Sequence, residues 1–269
     1  MADPRHLLYT DFDGKPLATP APLLGRGLVD DRHLERVPDL AALADDATAH
    51  PHDRLYACLA LTAWGEERGY RAVVAAAASP PWHGLPQGAA DAESQPGAPF
   101  GSGVALALPR APFGVLAAQV GISDASAARK GTEADRRAAL RALVRVADRE
   151  DFDDQLGAAI FTGPPHDLVH DVVAAVRRGL QRLDRRLWPP FDLPCQLVDI
   201  LEPLLEVDEP TVLALVGEVL RRDHRTRTLG YVAFLVATGT TPAATALAAH
   251  IVAVGGPAIA ERLAAARLR

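Results

Sequence analysis

The sequence predicts an all-α protein built as a stack of antiparallel helix pairs. Three observations carry this. Apolar residues recur at helical rather than alternating spacing along most of the chain. Alanine is the commonest residue, at 51 of 269, while aromatics make up only 5%. Helix stop and start signals recur through the later part, and no convincing run of alternating strand residues is found.

Residues 1–32 hold four prolines, three glycines and short apolar stretches, and are expected to be irregular. Leu40, Leu43, Ala44 and Ala47 then place a first helix, which Pro51 interrupts. A second is expected from Asp53 to about Glu67, stopped by Gly69, and a third from Tyr70 to Ala78, stopped by Pro80 and Pro81. Residues 33–82 form a first helical region. The span 83–123 is expected to be an insert, because His83 to Gly103 carries five glycines and three prolines. Residues 104–108 could add a short strand. A second helical region covers 124–269. It starts with a helix from Thr132 to about Asp148, where Thr132 and Asp135 are close to a capping box. Further helices are expected at 152–162, 166–187, 194–206, 209–222, 227–237, 241–254 and 257–267. Asp208 before Glu209-Pro210, Thr240 or Thr241 before Pro242, and Gly256 before Pro257 are their start signals.

One segment repeats. Asp53-Arg54-x-x-Ala57-x-x-Ala60-Leu61 returns 82 residues later as Asp135-Arg136-x-x-Ala139-x-x-Ala142-Leu143. Arg227-x-x-Gly230-x-x-Ala233-Phe234 is a degraded third copy. With Pro51 ahead of Arg54, and Gly69-Tyr70-Arg71-Ala72-Val73 as a turn into the next helix, the segment resembles the HEAT-like helical repeats. The resemblance is strongest over 37–79, moderate over 124–163 and weak over 195–268. It implies an α-solenoid, whose core is built between neighbouring repeats. It implies no reaction.

Net charge is −6, from 28 basic and 34 acidic residues, and only two of the basic ones are lysines. This balance does not suit a general polyanion binder. The bias to arginine fits a GC-rich bacterial genome. No run reaches 18 apolar residues, so no membrane span is expected. Cys58 and Cys195 fit a reducing cytoplasm, as core thiols.

Four groups could carry chemistry. Asp11-Phe12-Asp13-Gly14 resembles the nucleophile motif of haloacid-dehalogenase-type phosphatases. That motif needs a buried strand and Thr or Ser after the glycine, where this chain has Lys15, so a solvated acidic turn is the preferred reading. His166 and His170 stand four apart on one expected helix face, a metal-ligand spacing, with Asp167 or Asp171 as a third ligand. His50 and His52 flank Pro51 in a loop and are weaker. Arg137, Arg141 and Arg145 form a stripe on one helix, and Trp64 and Trp82 are available as aromatic contacts. Together these five are the candidate ligand-binding surface. Further arginines cluster at 177–186 and 221–227. The function expected is a non-catalytic protein-binding or adaptor protein without a cofactor, whose partner is another protein. The alternatives are a nucleic-acid binder, such as the HEAT-like DNA glycosylases, and a metal-dependent hydrolase.

Overall fold

The structure is a computed structural model and describes residues 3–80, 109–163, 165–239 and 241–268. Among these residues it is all-α. The helices are α1 (Pro4–Leu8), α2 (Ala21–Arg26), α3 (Val37–Asp45), α4 (Pro51–Ala63), α5 (Glu67–Ala78), α6 (Pro112–Ile122), α7 (Asp124–Lys130), α8 (Glu133–Val146), α9 (Gln155–Phe161), α10 (Val169–Asp184), α11 (Leu193–Asp199), α12 (Glu209–Arg222), α13 (Thr226–Ala237), α14 (Pro242–Gly255) and α15 (Pro257–Ala266). Short 3₁₀ turns lie at Asp31–Arg36, Pro165–Asp167 and Glu202–Leu204. One isolated antiparallel bridge joins Thr10 and Pro16. The chain forms two compact units, Met1–Leu143 and Val144–Arg269, and the division falls inside α8.

In the first unit α4 is the central helix, in contact with α1, α2, α3, α5 and α6. Its residues from Ala57 to Ala63 are all buried. A helix that is apolar all round belongs in a core, and Ala57, Ala60 and Ala63 let its neighbours come close. The repeated arginines share one task. Nε of Arg54 donates to the Ala44 carbonyl at 3.2 Å, in the last turn of α3. Nε of Arg136 donates to the Val120 carbonyl at 2.8 Å, in the last turn of α6. Each adds a donor at a helix end, where carbonyls lack intrahelical partners; the Val120 carbonyl also accepts from the Ser123 hydroxyl. The third copy does not repeat this. Arg227 faces the Asp192 carboxylate at 3.6 Å, and Phe234 is 42% exposed where Leu61 and Leu143 are fully buried.

The residues 1–32 expected to be irregular contain α1 and α2. Both are too short to show a period, but each has proline in its first turn, and Leu7, Leu8, Leu23 and Leu24 are buried. The end of the expected insert is likewise helical. α6 buries Phe113, Leu116, Ala117 and Val120; with neither a polar face nor a period, it did not announce itself as a helix. Trp82, the strand reading at 104–108 and most of the Gly/Pro-rich segment lie outside the described residues.

The break after α4 also differs. The helix ends at Trp64, and the turn is made by Gly65 in the left-handed region at φ +77°. Gly69 does not stop a helix; it lies within α5, where that helix crosses α4. A Cβ there would come within 2.4 Å of the Thr62 nitrogen, which is backbone and has no easy retreat.

In the second unit α11 buries Leu193 to Val198 and contacts α10, α12 and α13, while α13 also packs on α14 and α15. Gln196 of α11 donates to the carbonyls of Ala147, at 2.6 Å, and Glu150, and accepts from the Phe152 amide at 2.9 Å. Asp208 and Thr241 cap α12 and α14, each accepting from an amide three residues on.

Gly69→Ala therefore forces α4 and α5 apart. Overpacking of this kind typically costs about 1–3 kcal/mol, and urea unfolding should show a loss in or above that range. A variant as stable as the parent would mean that the crossing is not close.

Candidate functional site

The Asp11–Gly14 segment is a turn with Asp13 and Gly14 exposed, as expected, but Asp11 is turned inward. Among the described residues no strand precedes it, where the phosphatase motif needs one. Asp11 is buried, and its Oδ1 accepts from the amides of Lys15 at 2.8 Å and Asp13 at 2.9 Å. Arg26 pairs with Oδ2 at 2.7 Å. The Lys15 amide first, with the Asp13 amide and Arg26, holds this carboxyl below its ordinary range. Arg36 completes the seal, donating to the carbonyls of Leu7, Thr10 and Asp11 at 2.9, 2.8 and 2.6 Å. Its guanidinium lies 5.0 Å from the centre of the Phe12 ring. Asp11 thus organises the amino-terminal loop.

Trp64 is a core residue, 1% exposed, whose indole N–H donates to the Leu24 carbonyl at 3.1 Å. Its ring lies 4.9 Å from His33, so it offers no face to a ligand. Arg137, Arg141 and Arg145 differ from one another. Arg145 is exposed and pairs with Asp171 at 3.1 Å, whereas Arg137 and Arg141 are half-buried with Nε atoms shielded from solvent. Several later arginines are paired with acids as Arg145 is. Arg222 holds Asp184 at 2.6 Å and Glu218 at 2.7 Å, Arg225 holds Asp223 and Asp192, and Arg178 holds Asp148 at 3.0 Å.

His166 and His170 do not share a helix face. His166 belongs to the 3₁₀ turn, and His170 is the second residue of α10, so four-residue helical spacing does not relate them. Among the described residues no group of three His, Cys, Asp or Glu is placed to hold a metal ion. His50 caps α4, its Nδ1 accepting from the His52 amide. Burial pushes the thiols of Cys58 and Cys195 up to about 12, which leaves both protonated and poor nucleophiles.

A groove in the second unit has the form of a binding site. It has a volume of about 500 Å³ and is lined by α12, the start of α13 and α14. Leu220, Leu229, Leu247 and Val254 give it an apolar floor, and Arg221, His224 and His250 stand in its wall. Gly217 leaves the α12 side open, the nearest side-chain atom being Nη1 of Arg221 at 3.8 Å from where a Cβ would stand. Beside it α14 runs 14 residues without one Asp, Glu, Lys or Arg, although Ala243, Ala246, Ala249, His250, Ala253 and Val254 are exposed. Sequence reasoning placed this helix but missed the site. The available signal was the uncharged run itself, since an ordinary surface helix carries charges on its outer face.

A second feature of this unit is a carboxyl cluster. The Asp199 carboxylate accepts from the Gly157 amide at 2.9 Å. Burial raises its pKa to about 7, against the pull of that amide, and the charges of Asp154 and Glu202 add to the rise. Asp154 in turn accepts from the Tyr231 hydroxyl.

No family model matches this chain, and no curated protein or solved structure matches it.

The Asp199 shift makes stability depend on pH. The folded state holds this proton more tightly than the unfolded chain, so its stabilising contribution is complete below about pH 3.8 and is lost as pH rises through 7. Asp199→Asn fixes the neutral form. Its advantage in melting temperature over the parent should grow between pH 5 and 7 and then level off, reaching several degrees, as about 1 kcal/mol moves Tm by 2–4 °C at this size. Thermal scans giving a difference independent of pH would show that Asp199 is ionised throughout.

Proposed function

We propose that this chain is a HEAT-like helical-repeat protein that binds another protein, without catalysis, through the groove between α12 and α14. The observation that carries the reading is the pairing of an apolar groove with an exposed helix that has no charge along its length. Exposed apolar surface joined to a groove marks interaction sites in soluble proteins, and a groove floored by aliphatic side chains suits the apolar face of a helix. The two buried thiols agree with work in a reducing cytoplasm. The arginines support the same choice against nucleic acid. Many of those on the later helices are engaged by carboxylates of this chain, so a phosphate backbone would have to displace these partners.

Photo-crosslinking tests this. Val254 is half exposed at the groove, and a benzophenone amino acid in its place should give a discrete protein adduct in cells. The adduct should disappear on adding Leu247→Glu, checked for folding by circular dichroism. The same probe at Leu187, which is also half exposed but outside the groove, should not give it. Equal adducts at both positions, or adducts to nucleic acid, would reject the reading.

A further inference from the structure

We infer that the groove takes an acidic amphipathic segment of its partner, one presenting aliphatic side chains along one face and carboxylates beside them. This rests on the groove being a protein-binding site and goes on to say what enters it.

The floor sets the first half of the requirement. Leu220, Leu229, Leu247 and Val254 come from three helices and face a space with room for several aliphatic side chains. Phe, Tyr and Trp are absent from this lining.

The walls set the second half. The polar side chains lining the groove are Arg221, His224 and His250, and no carboxylate is among the lining residues. Of the arginines on and between α12 and α13, Arg222, Arg225 and Arg227 face carboxylates of this chain. That leaves Arg221 as the cation lining the groove. Glu218 contacts Arg221, but it is shared with Arg222, which holds its other carboxylate oxygen at 2.7 Å. A carboxylate from a partner would add to Arg221 a second acceptor that the fold does not supply. Opposite charge beside an apolar contact sets the register and choice of partner, and a basic segment would be repelled here.

A second copy of this chain fits less well. In a symmetric pairing the facing α14 would bring no Asp or Glu to Arg221.

The test uses the full chain and two fluorescein-labelled helical peptides. Both carry leucine at i, i+3, i+4 and i+7, with glutamate at the other positions in one and lysine in the other. By fluorescence anisotropy the acidic peptide should bind, and more tightly at low salt. Val254→Arg, at an exposed position, should weaken it by about tenfold or more. Arg221→Glu should weaken it by up to about fivefold, as an exposed ion pair is worth, and improve the lysine peptide. Tighter binding of the lysine peptide overturns the assignment of an acidic partner and leaves the groove as a protein site. So does an absence of peptide binding while the Val254 crosslink persists. Competition by a single-stranded oligonucleotide, or sedimentation as a dimer that Val254→Arg dissociates, overturns the assignment in favour of nucleic acid or a second copy.

Discussion

The fold depends on side-chain donors delivered to the carbonyl ends of helices. A helix leaves its last four carbonyls without intrahelical partners, and a buried end needs donors from elsewhere. Arginine suits this task, since a planar guanidinium stays charged and presents several N–H groups at once. Arg36 closes α1, Arg54 closes α3 and Arg136 closes α6. In the second unit Arg178 donates to the Arg145 carbonyl at 2.8 Å, in the last turn of α8, and Gln196 serves the two carbonyls that follow. Positive charge at these ends also meets the negative pole of the helix dipole. Desolvation lowers the pKa of Arg136, but the group still holds Asp124 at 3.0 Å while serving α6.

This use of arginine bears on function. Side chains that look in sequence like a basic stripe are spent on the fold or on neighbouring acids. What remains for a partner is apolar and sits where sequence shows little, on a helix of alanine, threonine and valine. The groove and the bare face of α14 belong to one surface of the second unit, and Arg221, His224 and His250 give that surface a sign.

Much of the architecture was legible in the sequence. The period of Leu40, Leu43 and Ala44, and the caps Asp208 and Thr241, placed helices where they stand. The Arg54 and Arg136 copies proved to have a common physical role. Other features were not legible, for identifiable reasons. α6 is apolar on every side, so periodicity had nothing to detect. Gly69 looked like a stop because a glycine needed for close approach is the same letter as one needed for a turn. Trp64 looked available because an aromatic residue does not announce whether its N–H is already used. The groove joins residues of α12, α13 and α14 that only folding brings together.

The most direct test compares equilibrium urea unfolding of Arg136→Ala and Arg145→Ala. Arg136 is 4% exposed and donates to α6, while the Arg145 side chain is 65% exposed and holds only a surface pair. Removing a buried donor that serves buried carbonyls costs about 1–3 kcal/mol, and an exposed pair is worth about 0–1 kcal/mol. Arg136→Ala should therefore lose about 2 kcal/mol or more, and Arg145→Ala less than about 1 kcal/mol. Equal and small losses in the two variants would contradict the claim that buried arginines hold the helix ends.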